Sequence, residues 1–399
     1  MSWNTRILSF AVVIVLLGGS VWGLGLATDV SSLPAQSTAE LAGDGTEQNP
    51  YVVTDVDELQ SVTSDRSAHY ELEADVDASE LAESFDPIGD ESAPFTGSFD
   101  GNGHTITGVT VDEPTDRNVG LFGVVEDGVI EDVRLERVDV TGDERVGALV
   151  GLNAGEVRAA SASGTVTGTN DVGGLVGVAS GDVTESAADV TVDGSSVVGG
   201  LVGFNECGPI SDSWASGDVV GDEEVGGLVG ENHCTITRSY AVGDVSGATD
   251  VGGAIGTHVS GSVADTYWDV ETTGHSDSAA GTGLTTDELR GQNAAELDGF
   301  DFQTTWQTTD DYPILEWQDD TRSDDGELDI EIDGNVPQDL DGDGLYEDVN
   351  GDGEFSLTDV VVLFEHLEEP VVTENVAAFD FAGTGDVSVT DVVALFESL

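Results

Sequence analysis

The sequence is dominated by a short glycine-rich phrase that returns six times between residues 119 and 256, as VGLFG, VGALVG, VGGLVG (three times) and VGGAIG. The closing glycines of these phrases are Gly123, Gly151, Gly177, Gly203, Gly230 and Gly256. They follow one another at steps of 26 to 28 residues, and so constant a period is typical of proteins built from stacked units. The repeat therefore restricts the chain to a repeat architecture.

Between the phrases, small side chains alternate with polar or aromatic ones, most clearly in ISDSWASGDVVG (210–221) and ITRSYAVGDVSG (236–247). Successive strand residues point to opposite faces, so the small set shares one face. Stacked units share a core that one unit cannot form alone, and pair their backbones at ~4.8 Å. The pattern predicts a β-solenoid, with a core that includes Leu175, Val176, Leu201, Val202, Leu228 and Val229. The alternative, a flexible Gly/Ser linker, does not explain why aliphatic pairs recur between the glycines.

The six phrases resemble the GLUG motif, which is named for glycine, leucine, an apolar residue and glycine and occurs in large secreted and surface proteins. The resemblance covers roughly residues 45–320. The flanking segments similar to those of such arrays are GDGTEQNPYVV (43–53), ADVDAS (74–79) and FTGSFDGNGHTITGVTV (95–111) before the repeats, and YWDVETTGHSDSAAGTGLTTDEL (267–289) and YPILEWQ (312–318) after them. The resemblance implies a mainly β fold, a right-handed β-helix with a surface role. It brings no catalytic residues.

The charge of the chain is extreme, because 80 acidic residues stand against 10 basic ones and the net charge is -70. Such a surface repels itself strongly in dilute salt, whereas at molar salt the Debye length falls to ~3 Å and the repulsion is screened. The composition predicts a protein of an extreme halophile. Its 38% of apolar residues, regularly patterned, argue against an acidic disordered chain. Nucleic acid and anionic membrane surfaces are unfavourable partners.

The N-terminal residues 1–27 combine one charge, Arg6, with an apolar run from Ile7 to Leu26. This pattern predicts a secretion signal that is cleaved after Ala27, although a run of about 20 apolar residues is also long enough to stay as a membrane anchor. Both interpretations place the remaining chain outside the cell. Residues 28–44 are small and polar and predict a tether. The segment VDELQSV (56–62) predicts a short helix that caps the first rung of the solenoid.

The chain has two cysteines, Cys207 and Cys234, which are one repeat apart. Equivalent positions of neighbouring rungs lie one strand spacing apart, which is within the Cα distance that a disulfide needs, and an extracellular disulfide persists. We therefore expect a disulfide between the two. Ile210 follows Cys207 by three residues whereas Ile236 follows Cys234 by two, so a bulge can shift this register. A metal pair is the alternative, although two cysteines supply only half of a zinc site.

Three aromatic residues occupy the same position of successive repeats, Trp214, Tyr240 and Tyr267. The alternation places them on the outer face, where they form a column. The column has two interpretations. It could stack on sugar rings and bind a polysaccharide, or it could pack beneath a flanking loop or the segment that follows the repeats.

The C-terminal part of the chain carries calcium-loop patterns after an acidic linker over residues 321–338. Residues 348–359, DVNGDGEFSLTD, have the spacing of a twelve-residue EF-hand loop, with glycine at the sixth position for the turn. The predicted Ca²⁺ ligands are Asp348, Asn350, Asp352, the carbonyl of Glu354, Ser356 and Asp359.

Two further loops share this pattern. Residues 380–391 repeat it but have Ala382 at the third position, so this site has lost a ligand and is expected to be weaker. Its candidate ligands are Asp380, Thr384, Asp386, Ser388 and Asp391. Residues 339–350 form an accessory loop that would share Asn350 with the next one. Its candidate ligands are Asp339, Asp341, Asp343 and Glu347.

The duplicated unit of loop and helix, SLTDVVVLFEHL (356–367) and SVTDVVALFESL (388–399), resembles a type I dockerin. The resemblance implies a small α-helical domain over residues 339–399 that binds Ca²⁺ and docks through its helices onto a cohesin module of another surface protein. Positions ten and eleven of each loop, where the family selects its partner, are Leu357, Thr358, Val389 and Thr390. The degenerate second loop departs from the family pattern and argues against a symmetric dual binding mode.

Three functions fit these observations. The first is a non-enzymatic surface or adhesion protein, a stiff spacer with a calcium-dependent docking end. The second is a polysaccharide lyase or glycosidase, since β-helices often host these enzymes. Lyases usually need a basic residue, however, and the repeats offer few Arg and no Lys, while the regular array lacks an irregular rung for a catalytic site. The third is a structural subunit of a surface matrix or filament. We favour the first.

Overall fold

A computed structural model of the chain describes residues 41–81 and 84–318, and in the C-terminal part residues 345–351, 355–367 and 387–398 with Ile332, Pro337, Val372, Phe379 and Phe381. The predicted signal or anchor segment, residues 1–27, lies outside the described residues. Within the described part, every helix is too short or too polar to cross a membrane.

Short strands and one helix come before the repeats. The strands are β1 (Tyr51–Val53), β2 (His69–Leu72), β3 (Val76–Asp77), β4 (Ser98–Asp100), β5 (Thr105–Thr107) and β6 (Thr110–Asp112). The helix α1 (Val56–Ser61) matches the predicted capping helix. Asp55 caps it, because its carboxylate accepts a hydrogen bond from the backbone N–H of Glu58 at 2.9 Å, which satisfies one of the free N–H groups of the first turn.

The repeats form parallel strands throughout. They are β7 (Arg117–Val119), β8 (Phe122–Thr141), β9 (Glu144–Val146), β10 (Val150–Thr167), β11 (Asn170–Gly173), β12 (Val176–Ala179), β13 (Asp182–Thr184), β14 (Ala187–Asp193), β15 (Ser196–Gly199), β16 (Val202–Asn205), β17 (Ile210–Ser211), β18 (Trp214–Ala215), β19 (Val219–Val220), β20 (Glu223–Gly226), β21 (Val229–Asn232), β22 (Ile236–Ala241), β23 (Val245–Ser246), β24 (Thr249–Gly252), β25 (Ile255–His258) and β26 (Val263–Asp269). Each strand pairs with its equivalent in the next repeat, as in β9, β11, β15, β20 and β24. The fold is a β-solenoid of about seven turns, as predicted.

Shorter elements follow the last repeat. They are β27 (Thr282–Leu284), α2 (Thr286–Leu289), a 3₁₀ helix (Gly291–Glu296), β28 (Trp306–Gln307), β29 (Ile314–Leu315), α3 (Leu357–His366) and α4 (Val389–Ser398). Strand β27 pairs with β26, and β28 with β29 is an antiparallel pair. Trp268 closes this end of the core, since it is 4% exposed and its indole N–H donates to the carbonyl of His275 at 2.8 Å.

The core is a set of aliphatic columns. The six aliphatic residues predicted to line it, Leu175, Val176, Leu201, Val202, Leu228 and Val229, are all fully buried. Buried serines form a second column, in which the backbone N–H of Ser186 donates to Oγ of Ser213 at 3.1 Å and that of Ser213 to Oγ of Ser239 at 3.3 Å. Each hydroxyl also donates within its own rung, as from Ser213 to the carbonyl of Ser211 at 2.8 Å. The small inward residues of the sequence pattern are therefore buried and hydrogen-bonded, as buried polar groups must be.

The closing glycines lie where two sheets of the solenoid touch. A Cβ added at Gly203 would lie 2.6 Å from the carbonyl carbon of Asp171 and from the backbone nitrogen of Val172. Gly177 and Gly230 face the backbone of the neighbouring sheet in the same way, at 2.6 Å. Because the opposing atoms are backbone atoms, a side chain at these positions would separate the sheets. The close contact between the two sheets therefore recurs once per repeat, at each of these glycines.

We expect Gly203→Ala to destabilise the solenoid by about 1 to 3 kcal/mol, the usual range for overpacking a core. The measurement is the midpoint of guanidinium unfolding in molar KCl. The control is Ser195→Ala, which places an alanine at an exposed turn of a nearby rung. Equal midpoints for the two variants would contradict the contact.

Candidate functional site

The predicted aromatic column exists, and it is covered. Trp214 pairs with Tyr240 and Tyr240 with Tyr267 in the strand register, and the rings of Trp214 and Tyr240 stack 6.0 Å apart at an angle of 4°. Tyr240 is 1% exposed, and its hydroxyl donates to the carbonyl of Pro313 at 2.5 Å. Burial raises the pKa of this phenol well above its ordinary value.

The cover is the segment from Thr285 to Gln318, which we call the strap. Its buried apolar residues pack on Tyr240 and Tyr267. They are Leu289, Ala294, Leu297, Phe300, Trp306 and Leu315. Nε1 of Trp214 donates to Oε1 of Gln318 at 2.9 Å, so the polar edge of the column is bonded to the strap as well.

The far end of the strap lies against earlier rungs. The indole N–H of Trp317 donates to the carbonyl of Glu185 at 2.9 Å, and the guanidinium of Arg134 lies 5.4 Å from the centre of the Trp317 ring. In the strand register, Arg134, Ser161, Ala187 and Trp214 stand in one column. The two small residues between Arg134 and Trp214 leave room for a covering side chain.

The prediction that Trp214, Tyr240 and Tyr267 stack on sugar rings is therefore wrong. The other interpretation, in which the column packs beneath the segment after the repeats, is confirmed. The physical reason is apolar burial, since large aromatic rings gain more free energy under a packed segment than in water.

The predicted disulfide is also absent, since Cys207 and Cys234 are free cysteines in this structure. Asn205 pairs with Asn232 and Ile210 with Ile236, so the offset falls from 27 to 26 residues between these two pairs. The cysteines lie in the turn where this change occurs. Sγ of Cys234 therefore faces the carbonyl oxygen of Cys207, at 2.8 Å, rather than its sulfur. Among the described residues, no group of three His, Cys, Asp or Glu could hold a metal ion.

One carboxylate of the solenoid has a strongly shifted pKa. Asp171 adopts a left-handed backbone conformation, with φ of 54°, beside the contact with Gly203. Burial, with a contribution from Glu144, raises the pKa of its carboxyl to about 6. Its folded pKa therefore exceeds that of the unfolded chain, near 4, and stability falls as pH rises between these two values.

We expect Asp171→Asn to stabilise the protein by about 1 kcal/mol at pH 7, after allowance for solvent screening, and to leave it unchanged at about pH 4. The neutral amide does not incur the cost of a buried charge, whereas at pH 4 the native carboxyl is already protonated. Unfolding midpoints at both pH values in molar KCl measure the difference. The control is Asp193→Asn, which removes an exposed charge. The same pH dependence in both variants would count against the assignment.

The C-terminal module has a core of its own. Its buried apolar residues are Ile332, Tyr346, Val349, Val360, Leu363, Val372, Phe379, Val392 and Leu395. Ile332, which the sequence analysis places in the acidic linker, is thus part of this core.

Three carboxylates of the predicted calcium loops are buried. Asp348, Asp359 and Asp391 are fully buried. The carboxylate of Asp359 accepts hydrogen bonds from the side-chain amide of Asn350 at 2.6 Å and from the backbone N–H of Ser356 at 2.7 Å. In the second loop, Asp391 accepts from the backbone N–H of Ser388 at 2.7 Å. The ninth and twelfth residues of each predicted loop are thus hydrogen-bonded to each other where the next helix starts. The pairs are Ser356 with Asp359 at α3 and Ser388 with Asp391 at α4.

These residues fit a calcium ion. Asp348, Asn350, Ser356 and Asp359, the described members of the predicted first-loop ligand set, all carry side-chain oxygen atoms. A hard cation that prefers oxygen ligands suits such a set. Glu347 of the accessory loop is described and half-buried. The other predicted ligands, Asp339, Asp341, Asp343, Asp352, Glu354, Asp380, Thr384 and Asp386, lie outside the described residues.

The outer faces of α3 and α4 are apolar. Leu357, Thr358, Val389 and Thr390, the predicted partner-binding residues, are all exposed. Four more exposed apolar residues lie on the same helices, Val361, Phe364, Val393 and Phe396. Sequence reasoning missed these four, because apolar residues at helical spacing are usually assigned to a core. The signal was that each helix carries more apolar positions than one buried stripe needs.

Fold and site together define a parallel β-solenoid followed by a small helical module with duplicated loop-and-helix units. Residues 346–399 match the family model of the dockerin type I domain, so the C-terminal module is of this type.

Two relatives match the chain only in part. The chain is 38% identical over 143 residues to Halomucin of Haloquadratum walsbyi, which is 32% of this chain and 2% of that protein. It is 32% identical over 133 residues to a protein of Evansella cellulosilytica named as a Gly-rich membrane protein, which is 31% of this chain and 15% of that one. The chain thus spans a small fraction of the length of both.

A solved structure shares the fold. It is a crystal structure of a protein from Bacteroides ovatus assigned as an immunoglobulin A1 protease, with a TM-score of 0.56 and 20% identity over 69% of this chain and 95% of that one. At this identity the likeness concerns the fold alone.

Proposed function

We propose that this protein is a secreted or cell-surface, non-enzymatic adhesion or scaffold protein, in which the solenoid is a rigid spacer and the C-terminal module docks in a calcium-dependent manner onto a cohesin-like module of another surface protein. The observation that carries the proposal is the C-terminal module, where buried loop carboxylates stand beside helix faces that expose apolar side chains and the sequence matches the dockerin type I domain.

The solenoid supports the role of spacer. About seven turns at ~4.8 Å each form a rod of ~34 Å. The rungs are bonded to their neighbours by parallel strand pairing. The buried serines Ser186, Ser213 and Ser239 link three of them, and the strap ties several rungs together. Such a rod resists bending because its bonds are repeated at every step.

The surface location and the high-salt habitat rest on two observations. The net charge is -70, and a relative of part of the chain comes from Haloquadratum walsbyi and is named Halomucin. The name Halomucin describes that protein and not this chain. From the match we infer for this chain only a location at the cell surface.

The enzyme hypothesis has less support. The aromatic column that would have bound a sugar lies under the strap, and the left-handed residues recur in step from rung to rung rather than marking one irregular turn. The protease assignment of the Bacteroides ovatus structure does not extend to this chain, because the likeness is one of fold.

Docking should require calcium. When bound, Ca²⁺ supplies a divalent positive charge beside the loop carboxylates, of which Asp348 opens the first loop and Asp359 closes it. These residues hold the loop in the geometry from which α3 starts, since Asp359 bonds both Asn350 and Ser356. The helix face is therefore expected to depend on the loop.

We predict that the immobilised full chain captures a specific protein from the surface fraction of its source organism in molar KCl with millimolar Ca²⁺, and loses it when a chelator is added. Asp348→Asn should weaken the binding of Ca²⁺, measured by calorimetry, and reduce capture of the partner protein as well. Extracellular EF-hand loops bind Ca²⁺ with a Kd of about 10⁻⁴ to 10⁻³ M, so the loss of one ligand leaves little binding. Asp193→Asn, on the solenoid, is the control. Capture that persists in chelator would refute calcium-dependent docking.

We also predict that the melting temperature rises between about 0.1 and 2 M KCl, because salt screens the repulsion among the carboxylates. Circular dichroism at strand wavelengths measures it. A melting temperature that stays constant over this range would contradict adaptation to high salt.

A further inference from the structure

A column of buried asparagines runs through the solenoid beside the aliphatic core. In the strand register, Asn153, Ala179, Asn205, Asn232 and His258 stand at equivalent positions of successive rungs. The three asparagines and Ala179 are fully buried, and His258 is half-buried. Buried side-chain amides need hydrogen-bond partners, so the partner of each amide determines how well the column is satisfied.

Hydrogen bonds run along the upper part of the column in one direction. Nδ2 of Asn205 donates to Oδ1 of Asn232 at 2.7 Å. Nδ2 of Asn232 donates in turn to Nδ1 of His258 at 3.1 Å, and because an amide nitrogen only donates, this imidazole nitrogen is the acceptor. The direction fixes the orientation of the Asn205 amide, since a reversed amide would bring two oxygen acceptors together. Oδ1 of Asn205 is therefore the end of the amide turned away from Asn232, toward the rung of Ala179.

The oxygen of the Asn205 amide is buried and unsatisfied. It has no hydrogen-bond partner among the described residues. The oxygens of the other two asparagines each accept the backbone N–H two residues further on, at 3.0 and 3.3 Å. The corresponding N–H in the turn of Asn205, that of Cys207, donates to the carbonyl of Ala179 instead, at 3.3 Å. A buried amide oxygen without a donor is destabilising, so this position calls for a donor from elsewhere.

Alanine at position 179 leaves room for such a donor. Its side chain stops at Cβ, whereas asparagine extends by a further amide group. That difference is enough to seat one water molecule, which takes ~30 Å³ in the liquid. Two more polar groups lie at this level of the column, Nδ2 of Asn153 and the carbonyl of Asp182, which are hydrogen-bonded to each other at 3.0 Å. A buried water makes about two to four hydrogen bonds, so the site has enough polar groups for one.

We propose that the solenoid has a binding site for one buried water molecule beside Ala179, where the water donates to Oδ1 of Asn205 and takes the place of the missing amide in the column. The site selects a small hydrogen-bond donor, because an apolar guest would leave the Asn205 oxygen unsatisfied. The water also reaches the carbonyl of Asp182, and so connects the part of the column above Ala179 to Asn153 below it. The site belongs to the solenoid alone and is independent of docking by the C-terminal module.

The test replaces the water by a side chain. Ala179→Asn supplies its own Nδ2 as the donor to Asn205 and releases the water. We therefore expect the melting temperature of the full chain in molar KCl, followed by circular dichroism, to rise by about 2 to 4 °C. Ala179→Leu is the matched control, because leucine has nearly the shape of asparagine but no donor. Its melting temperature should fall, since it displaces the water without bonding Asn205.

The two variants together separate a hydrated site from its alternatives. Equal gains in both would show a dry, apolar space, and losses in both would show that the space beside Ala179 is closed to any guest. Either result overturns the proposal. If the variants do not fold, the unchanged chain decides, because the electron density of its crystals should show a water within ~3.2 Å of Oδ1 of Asn205. Density without a water at this oxygen would refute the site.

Discussion

Parallel backbone pairing in constant register is the interaction on which the rest of this structure depends. Because Val146, Val172 and Val198 stand above one another, any residue type that recurs with the period becomes a column, and the column has one environment. Valine columns form the core, serine columns bond rung to rung, and glycine columns allow two sheets to touch. A slip of one residue would exchange the inward and outward sets. The step nevertheless changes between 26 and 28 residues. The structure accommodates the difference by register shifts between β8 and β10 and in the turn that contains Cys207 or Cys234.

The distribution of charge follows from the same stacking. The few arginines of the solenoid pair with acidic residues about one turn away, Arg117 with Glu144, Arg158 with Glu131 and Arg238 with Asp212. Each pair links neighbouring rungs, and exposed pairs of this kind contribute little individually. Most of the 80 acidic residues have no basic residue available to them, so neutralisation must come from dissolved cations. Against this background, six of the eight large apolar side chains that are exposed in the described part of the chain lie on α3 and α4.

What could be predicted from the sequence is what is local or periodic. The glycine period predicted the solenoid and its core, the segment 56–62 predicted its capping helix, and the spacing of oxygen-bearing residues predicted the C-terminal module. The sequence offered the cover of the aromatic column by the following segment as one of two interpretations. It could not decide between them, because the contacts join residues that are far apart in the chain, such as Tyr240 and Pro313. The alternation of small and large residues predicts that Tyr240 points outward, but it does not predict which segment covers the ring. The disulfide failed for a smaller reason, since counting from the glycines ignores a shift within the turn. Phe364 and Phe396 were missed because spacing alone does not separate a buried stripe from an exposed one.

The strap also determines where a mechanical load would enter the solenoid. The chain leaves it beside Trp317, which is bonded to Glu185 and lies against Arg134, and not beside the last strand, β27. A pull transmitted from the C-terminal side would therefore reach the contacts of Trp317 first, and next those that hold the strap on Trp214 and Tyr240. Strand β27 would be peeled only after these had failed. The attachment point of the strap thus protects the last strand of the solenoid from a load that enters on this side.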